Sequence, residues 1–171
     1  MRAIETVYNG YRFRSRVEAR WAVFFDGLAL PYNYEPEGFD LGGIWYLPDF
    51  WLPQQYTWIE IKGQQPTEDE KRKAFLLMKA TNASVFILPD EPWHTTGGYA
   101  WIPDSPNDDY LHYPCYWSEC LRCAFITICH ENKSFCDLCY FRRKEFTPEN
   151  KISPRLVAAY NAARQARFEH L

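Results

Sequence analysis

Two short apolar runs on either side of a Gln54-Gln55 turn constrain this chain more than any other feature: Tyr46-Leu47-Pro48-Asp49-Phe50 and Trp58-Ile59-Glu60-Ile61-Lys62-Gly63. Polar turn residues between strand-forming runs predict an antiparallel pair. Side chains alternate along a strand, so Ile59 and Ile61 should face the core while Trp58, Glu60 and Lys62 share the opposite face. Asp49 lies at the end of the preceding strand. The expected product is a pair of carboxylates beside an ammonium.

Those residue types suit one kind of chemistry. A hard cation such as Mg²⁺ takes oxygen ligands, keeps several waters, and is held by one or two carboxylates together with substrate phosphate. Asp49 and Glu60 are the candidate ligands for Mg²⁺ or Mn²⁺. Lys62 is the candidate to position a water in line with phosphorus, as a point charge or, if its pKa is lowered, as a base. The plainer alternative is an ordinary Glu60–Lys62 ion pair on a solvated strand face.

The surrounding chain supplies context. Residues 15–25 predict an amphipathic helix with Val17, Trp21, Phe24 and Phe25 on its apolar stripe. Ser15 and Glu18 fit the S-x-x-E capping box, so Glu18 reads either as a helix cap or as an acidic group assisting at the metal. Residues 31–36 predict a first strand, and 39–41 with 44–47 a hairpin around Gly42-Gly43. Glu35 is a weaker candidate for the cleft and reads preferentially as a solvated strand end. Thr67 and Glu70 form a second capping box, opening a helix to about Thr81 with Phe75, Leu76 and Met78 as its apolar contacts. The run 84–89 predicts a buried strand, and 99–102 a further one. The fold expected is α/β, a mixed sheet flanked by helices.

Together the segments 11–22, 34–37, 46–50 and 59–63 resemble the PD-(D/E)XK nuclease superfamily, a likeness covering roughly residues 8–90. It is nearest to small phage and mobile-element nucleases, including transposon end-cleaving endonucleases and endonuclease I-type resolvases. The resemblance implies a restriction-endonuclease-like core in the order helix, three strands, helix, strand. It further implies that Asp49 and Glu60 bind Mg²⁺, that Lys62 orients the water, that Glu18 assists at the metal, and that cleavage leaves 5′-phosphate ends.

A second motif is independent of the first. Cys120-Leu121-Arg122-Cys123 and Cys136-Asp137-Leu138-Cys139 are two C-x₂-C pairs separated by twelve residues. Four thiolates at this spacing suit closed tetrahedral Zn²⁺, a structural site with no open position for catalysis. Between them, 125–128 and 134–135 predict short strands around a turn at 131–133, as in a zinc ribbon. Disulfides would need an oxidising compartment, and the N-terminus shows no apolar signal segment. An iron–sulfur cluster uses the same ligands and stays open on spacing alone. Cys115 and Cys129 read as small thiols, packed or partly exposed.

The chain of 171 residues, 47% apolar and 18% aromatic, divides into a nuclease core over 1–110, a zinc ribbon over 111–145 and a terminal helix over 146–171. The helix, opened by Ser153-Pro154, is expected to dock on the core through Leu156, Ala159, Tyr160 and Ala163. No apolar run reaches the roughly 20 residues needed to span a bilayer, so the expectation is a soluble, cytoplasmic protein without membrane contact. Net charge is only −3, but it is unevenly placed: residues 1–24 carry +3, residues 140–171 carry +4, and the middle carries −10. An acidic middle suits a metal cleft, and basic ends suit phosphate. The expected partner is DNA, contacted by Arg14, Arg16, Arg20, Gln64, Lys71, Arg142 and Arg143. Cutting both strands takes two active sites, which a homodimer would supply. Two other readings stay open: an RNA-directed nuclease, and a catalytically silent nuclease-fold factor that binds nucleic acid or protein.

Overall fold

The computed structural model describes residues 4–92, 98–103, 116–129, 136, 138–139 and 152–168. The chain enters through a hairpin, β1 (Thr6–Tyr8) and β2 (Tyr11–Phe13), paired antiparallel. Its two turn residues, Asn9 (φ 48°) and Gly10 (φ 81°), are both left-handed, the geometry that matches the twist of tightly joined strands. Helix α1 (Arg16–Gly27) follows, with Ser15 at the N-cap accepting the Glu18 N–H. Trp21, Phe24 and Phe25 are fully or almost fully buried, as the apolar stripe requires, while Val17 is only partly covered.

Next come β3 (Asn33–Tyr34), a hairpin of β4 (Phe39–Asp40) and β5 (Trp45–Tyr46), then β6 (Phe50–Leu52) and β7 (Thr57–Lys62). Helix α2 (Glu68–Thr81) begins with the reciprocal Thr67–Glu70 capping box and ends on left-handed Asn82. It leads to β8 (Ser84–Pro89), and β9 (Tyr99–Trp101) completes a mixed sheet in the order β3-β6-β7-β8-β9. β7 and β8 run parallel, joined by α2 as crossover, and the other neighbours are antiparallel.

Both faces of this sheet are buried, which departs from the expectation of one core face for β7. Ile59, Ile61, Phe86 and Leu88 pack with Phe13 and the aromatic residues of α1. Trp58, Val85, Ile87 and Trp101 pack on the other side with Ala74, Leu77 and Met78 of α2. The period-2 pattern therefore sorts residues between two cores, not between core and water. On α2, Met78 is buried as expected and Ala74 and Leu77 join it, while Phe75 and Leu76 are only partly covered.

A further hairpin, β10 (Tyr116–Glu119) and β11 (Ile126–Cys129), places Trp117, Ile126 and Ile128 in the α1 core. Helix α3 (Pro154–Gln165) docks on α1, with the Tyr160 ring tilted against Phe24 at 4.6 Å between ring centres. The approach is close enough that a Cβ at Gly27 would lie 3.2 Å from Ala159 Cβ. Leu156, Ala159, Tyr160 and Ala163 are buried as expected, whereas Arg167 is exposed beyond the helix end. Among the described residues no helix is long and apolar enough to cross a membrane. Arg142, Arg143, Cys115, the turn at 131–133 and the strand at 134–135 lie outside the described residues, as does the side chain of Cys129.

Candidate functional site

The β6–β7 pairing sets the site. Phe50 pairs with Ile59, so Asp49, one residue earlier, falls beside Glu60 and Lys62. Asp49 Oδ2 accepts the Ile61 N–H at 2.7 Å, and Oδ1 accepts from the Arg14 guanidinium at 2.7 Å. Glu60 is buried, and its Oε1 lies 2.7 Å from Lys62 Nζ. The solvated ion pair considered from sequence is therefore not what forms. Glu60 Oε2 is buried, and no donor meets it in full hydrogen-bond geometry. A buried carboxylate oxygen without a donor is costly, by several kcal/mol when charged, unless a cation occupies the space beside it.

Glu18 belongs to the same cluster and does more than cap α1. Its Oε1 accepts from Ser15 Oγ at 2.6 Å, while Oε2 accepts from the Tyr34 hydroxyl at 2.6 Å and the Arg14 N–H at 3.1 Å. Glu35, which sequence suggested was a solvated strand end, places Oε1 2.5 Å from Arg14 Nε. The reason is backbone conformation: Glu35 is left-handed (φ 44°) and its N–H donates to Asp49 O at 2.8 Å. Glu70, from the first turn of α2, lies 3.1 Å from Lys62 Nζ. Four carboxylates thus pair with two cations, Arg14 and Lys62, and a fifth, Glu18, accepts from the Arg14 backbone N–H.

The ionisation of these groups follows. Burial, then the charges of Glu60 and Glu18, raise Asp49 well above the usual carboxylate range, against the opposing Ile61 N–H and Arg14. Burial also raises Glu35, with Arg14 opposing it. Burial pushes Lys62 down, but the attraction of Glu60 and the bonds to Glu60 and Glu70 outweigh it, and Lys62 is raised. It is a firm cation, and the lowered pKa that a lysine base would need is absent. Glu70 is lowered: burial pushes it up, and donors from Thr67 and Lys62 more than reverse this. Tyr46, on the inner side of the β4–β5 hairpin, is raised by burial, then by the charge of Glu60 and a hydrogen bond to its carboxylate.

The other candidate contacts disperse. Arg20 pairs with Glu91, Lys71 pairs with Glu68 at 2.7 Å and lies over the Tyr99 ring, Arg16 is half-buried in the first turn of α1, and Gln64 is exposed just past β7. Sequence reasoning passed over three participants, Tyr34, Tyr46 and Glu70. Only Glu70 carried a signal, the capping box, and its second contact to Lys62 was not visible in spacing.

The cysteines converge. Sγ atoms of Cys120, Cys123, Cys136 and Cys139 all lie within 4.8 Å of one another, with Cys120–Cys139 and Cys123–Cys136 at 3.6 Å. Tetrahedral Zn–S bonds of about 2.3 Å place sulfurs roughly 3.8 Å apart, so the tetrad fits a zinc ion, and its sulfurs are far too distant for disulfides. The Cys120 knuckle is closed by Ala124 N–H to Cys120 O and Cys120 N–H to Phe125 O, both 2.9 Å, with Ala124 left-handed (φ 57°). Burial pushes the Cys120 thiol up, but N–H donors from Cys123 and Arg122 bring it down to about 7, towards the thiolate that a metal requires.

Compared with protein-family models, curated proteins and solved structures, the chain finds no match.

Proposed function

We propose that this chain is a metal-dependent endonuclease that hydrolyses phosphodiester bonds in DNA on a PD-(D/E)XK core. The observation that carries the reading is the buried Oε2 of Glu60 beside Asp49, which no donor meets in full hydrogen-bond geometry although the Tyr46 hydroxyl lies near the carboxylate, in a cluster with more carboxylates than cations. With the separate β4–β5 hairpin set aside, the elements α1, β3, β6, β7, α2 and β8 follow in an order that supports this reading.

In this reading Asp49 and Glu60 hold Mg²⁺ or Mn²⁺, which supplies Lewis-acid charge at the phosphoryl group when bound. Lys62, protonated and clamped between Glu60 and Glu70, would orient the attacking water by donating to its oxygen and would stabilise negative charge developing on the phosphoryl oxygens; the proton lost by the water passes to solvent, and the leaving 3′ oxygen takes one from solvent. Glu18, held by Ser15, Tyr34 and the Arg14 N–H, adds fixed negative charge beside the cation. Arg16, Arg20, Gln64, Lys71, Arg142 and Arg143 are the proposed backbone contacts, and zinc in the cysteine tetrad is structural. A homodimer would provide paired cuts.

One observation favours the second reading, a silent binding module: Asp49 and Glu60 each already have a protein cation against them. The deciding experiment is cleavage of labelled duplex, single-stranded and branched DNA, and of RNA, with Mg²⁺ or Mn²⁺, comparing the wild type with Glu60→Ala. Metal-dependent cutting lost in the variant supports the nuclease and names its substrate. Zinc-loaded, folded protein that cuts nothing moves the reading to the binding module.

A further inference from the structure

We infer that Arg14 is a displaceable counter-ion, which neutralises the carboxylate cluster when no divalent cation is bound and is turned outward, towards substrate phosphate, when one is. The inference rests on the metal-dependent reading above and adds a residue that controls entry to its metal site.

Arg14 has two separable roles in the structure. Its backbone N–H is fixed, donating to Glu18 Oε2 and Tyr34 Oη, both at 3.1 Å. Its guanidinium reaches inward from the surface: the side chain is 55% exposed, yet Nη2 touches Asp49 Oδ1 at 2.7 Å and Nε touches Glu35 Oε1 at 2.5 Å. The partners differ sharply in exposure, Asp49 at 3% against Arg14 at 55%. Asp49 cannot leave, because the Ile61 N–H holds its other oxygen. Arg14 can leave, because half of its side chain is already in water and its backbone anchor does not depend on where the side chain lies.

Charge balance argues for exchange. The guanidinium sits among Asp49, Glu35 and Glu18 with the Tyr34 hydroxyl also in hydrogen-bond reach, and Asp49 is the carboxylate that a divalent cation would share with Glu60. A cation on Asp49 and the guanidinium on Asp49 repel each other at contact range, so binding one weakens the hold on the other. Lys62 does not offer the same exchange, since it is more buried and shared by Glu60 and Glu70. Once displaced, a long planar cation tethered beside the cluster is well suited to a phosphate oxygen.

The test uses Mn²⁺ as probe on the full-length, zinc-loaded protein, with wild type, Arg14→Gln, Arg14→Lys and Glu60→Gln compared by calorimetry. Arg14→Gln leaves the N–H bonds to Glu18 and Tyr34 in place, and a retained circular dichroism spectrum reports folding. The expected result is Mn²⁺ binding about tenfold tighter in Arg14→Gln than in wild type, a contact-range charge effect reduced by exposure, with Arg14→Lys between them. Duplex binding with Ca²⁺ present should then show a salt slope smaller by about one in Arg14→Gln. Unchanged or weaker Mn²⁺ binding in Arg14→Gln, with wild type binding and Glu60→Gln not, overturns the counter-ion role and leaves the metal site standing. An unchanged slope overturns the outward swing to phosphate. Mn²⁺ binding that is equal in wild type and Glu60→Gln overturns the metal-site reading itself, and this proposal with it.

Discussion

Asp49 Oδ2 accepts a 2.7 Å hydrogen bond from the Ile61 backbone N–H. This bond ties the residue before β6 to the β7 position between Glu60 and Lys62, so the sheet itself aims the carboxylate. Asp49→Asn keeps an oxygen for Ile61 and removes the charge. Asp49→Ala leaves a buried N–H unpartnered, at a cost of about 1–3 kcal/mol. Both variants are expected to lose metal-dependent cleavage. In chelator, urea unfolding should place Asp49→Asn above Asp49→Ala in stability, and equal midpoints would remove the Ile61 bond from the account.

The raised pKa of Asp49 makes metal-free stability depend on pH. Between the ordinary carboxylate value of about 4 and its raised folded value, the folded protein holds a proton that the unfolded chain has released. Stability must then fall as pH rises through that window, the reverse of a salt-bridged aspartate. Urea midpoints measured in chelator should decline towards neutral pH in wild type and flatten in Asp49→Asn. A wild-type midpoint that rises over the same window would show that Arg14 dominates Asp49 in solution.

Much of this site was legible because its signals are local. The strand alternation of 58–62, the Gln54-Gln55 turn and the Thr67 capping box each act over a few residues, and each formed at the place expected. What spacing could not show depends on tertiary register: Glu35 meets Asp49 because β3 pairs with β6, Arg14 reaches Asp49 from the β2–α1 junction that bonds to Tyr34 of β3, and Glu70 meets Lys62 because α2 starts over the end of β7. The β1–β2 hairpin was missed although Asn9-Gly10 is a strong turn signal, since its strands are only three residues each. The burial of β7 on both faces was hidden for another reason: Trp58 and Glu60 share a face, and polar Glu60 made that face read as solvated.

Lys62 is expected to act as a charge rather than as a base. Lys62→Ala should lower the cleavage rate by about 10²–10³, the loss typical of one electrostatic donor at a reacting centre. Because attraction to Glu60 and Glu70 raises Lys62 despite burial, the wild-type rate should show no fall from lysine deprotonation up to about pH 10. A rate profile measured with single-turnover kinetics checks this. A requirement for neutral lysine, seen as activity rising steeply with pH and lost in Lys62→Ala, would reverse the assignment.

Zinc loss is expected to reach beyond the cysteine tetrad. The β10–β11 hairpin carries Cys120 at its tip and buries Trp117 against Phe24 and Phe25 at 5.5 and 5.7 Å between ring centres. The hairpin is further fixed by Gln55 to Ile126 O at 2.9 Å and by Arg155 of α3 to Glu119 at 3.2 Å. Trp117, Ile126 and Ile128 each contribute about 1.5–3 kcal/mol by burial. Their combined loss is comparable to the whole stability of a domain, about 5–15 kcal/mol. Chelation or Cys120→Ser should therefore cost the helical core as well as the hairpin, with circular dichroism at helix wavelengths falling in step with zinc release. If zinc leaves while the melting temperature of the helical signal stays fixed, the apolar contacts of Trp117 suffice without metal and the tetrad does not brace the core.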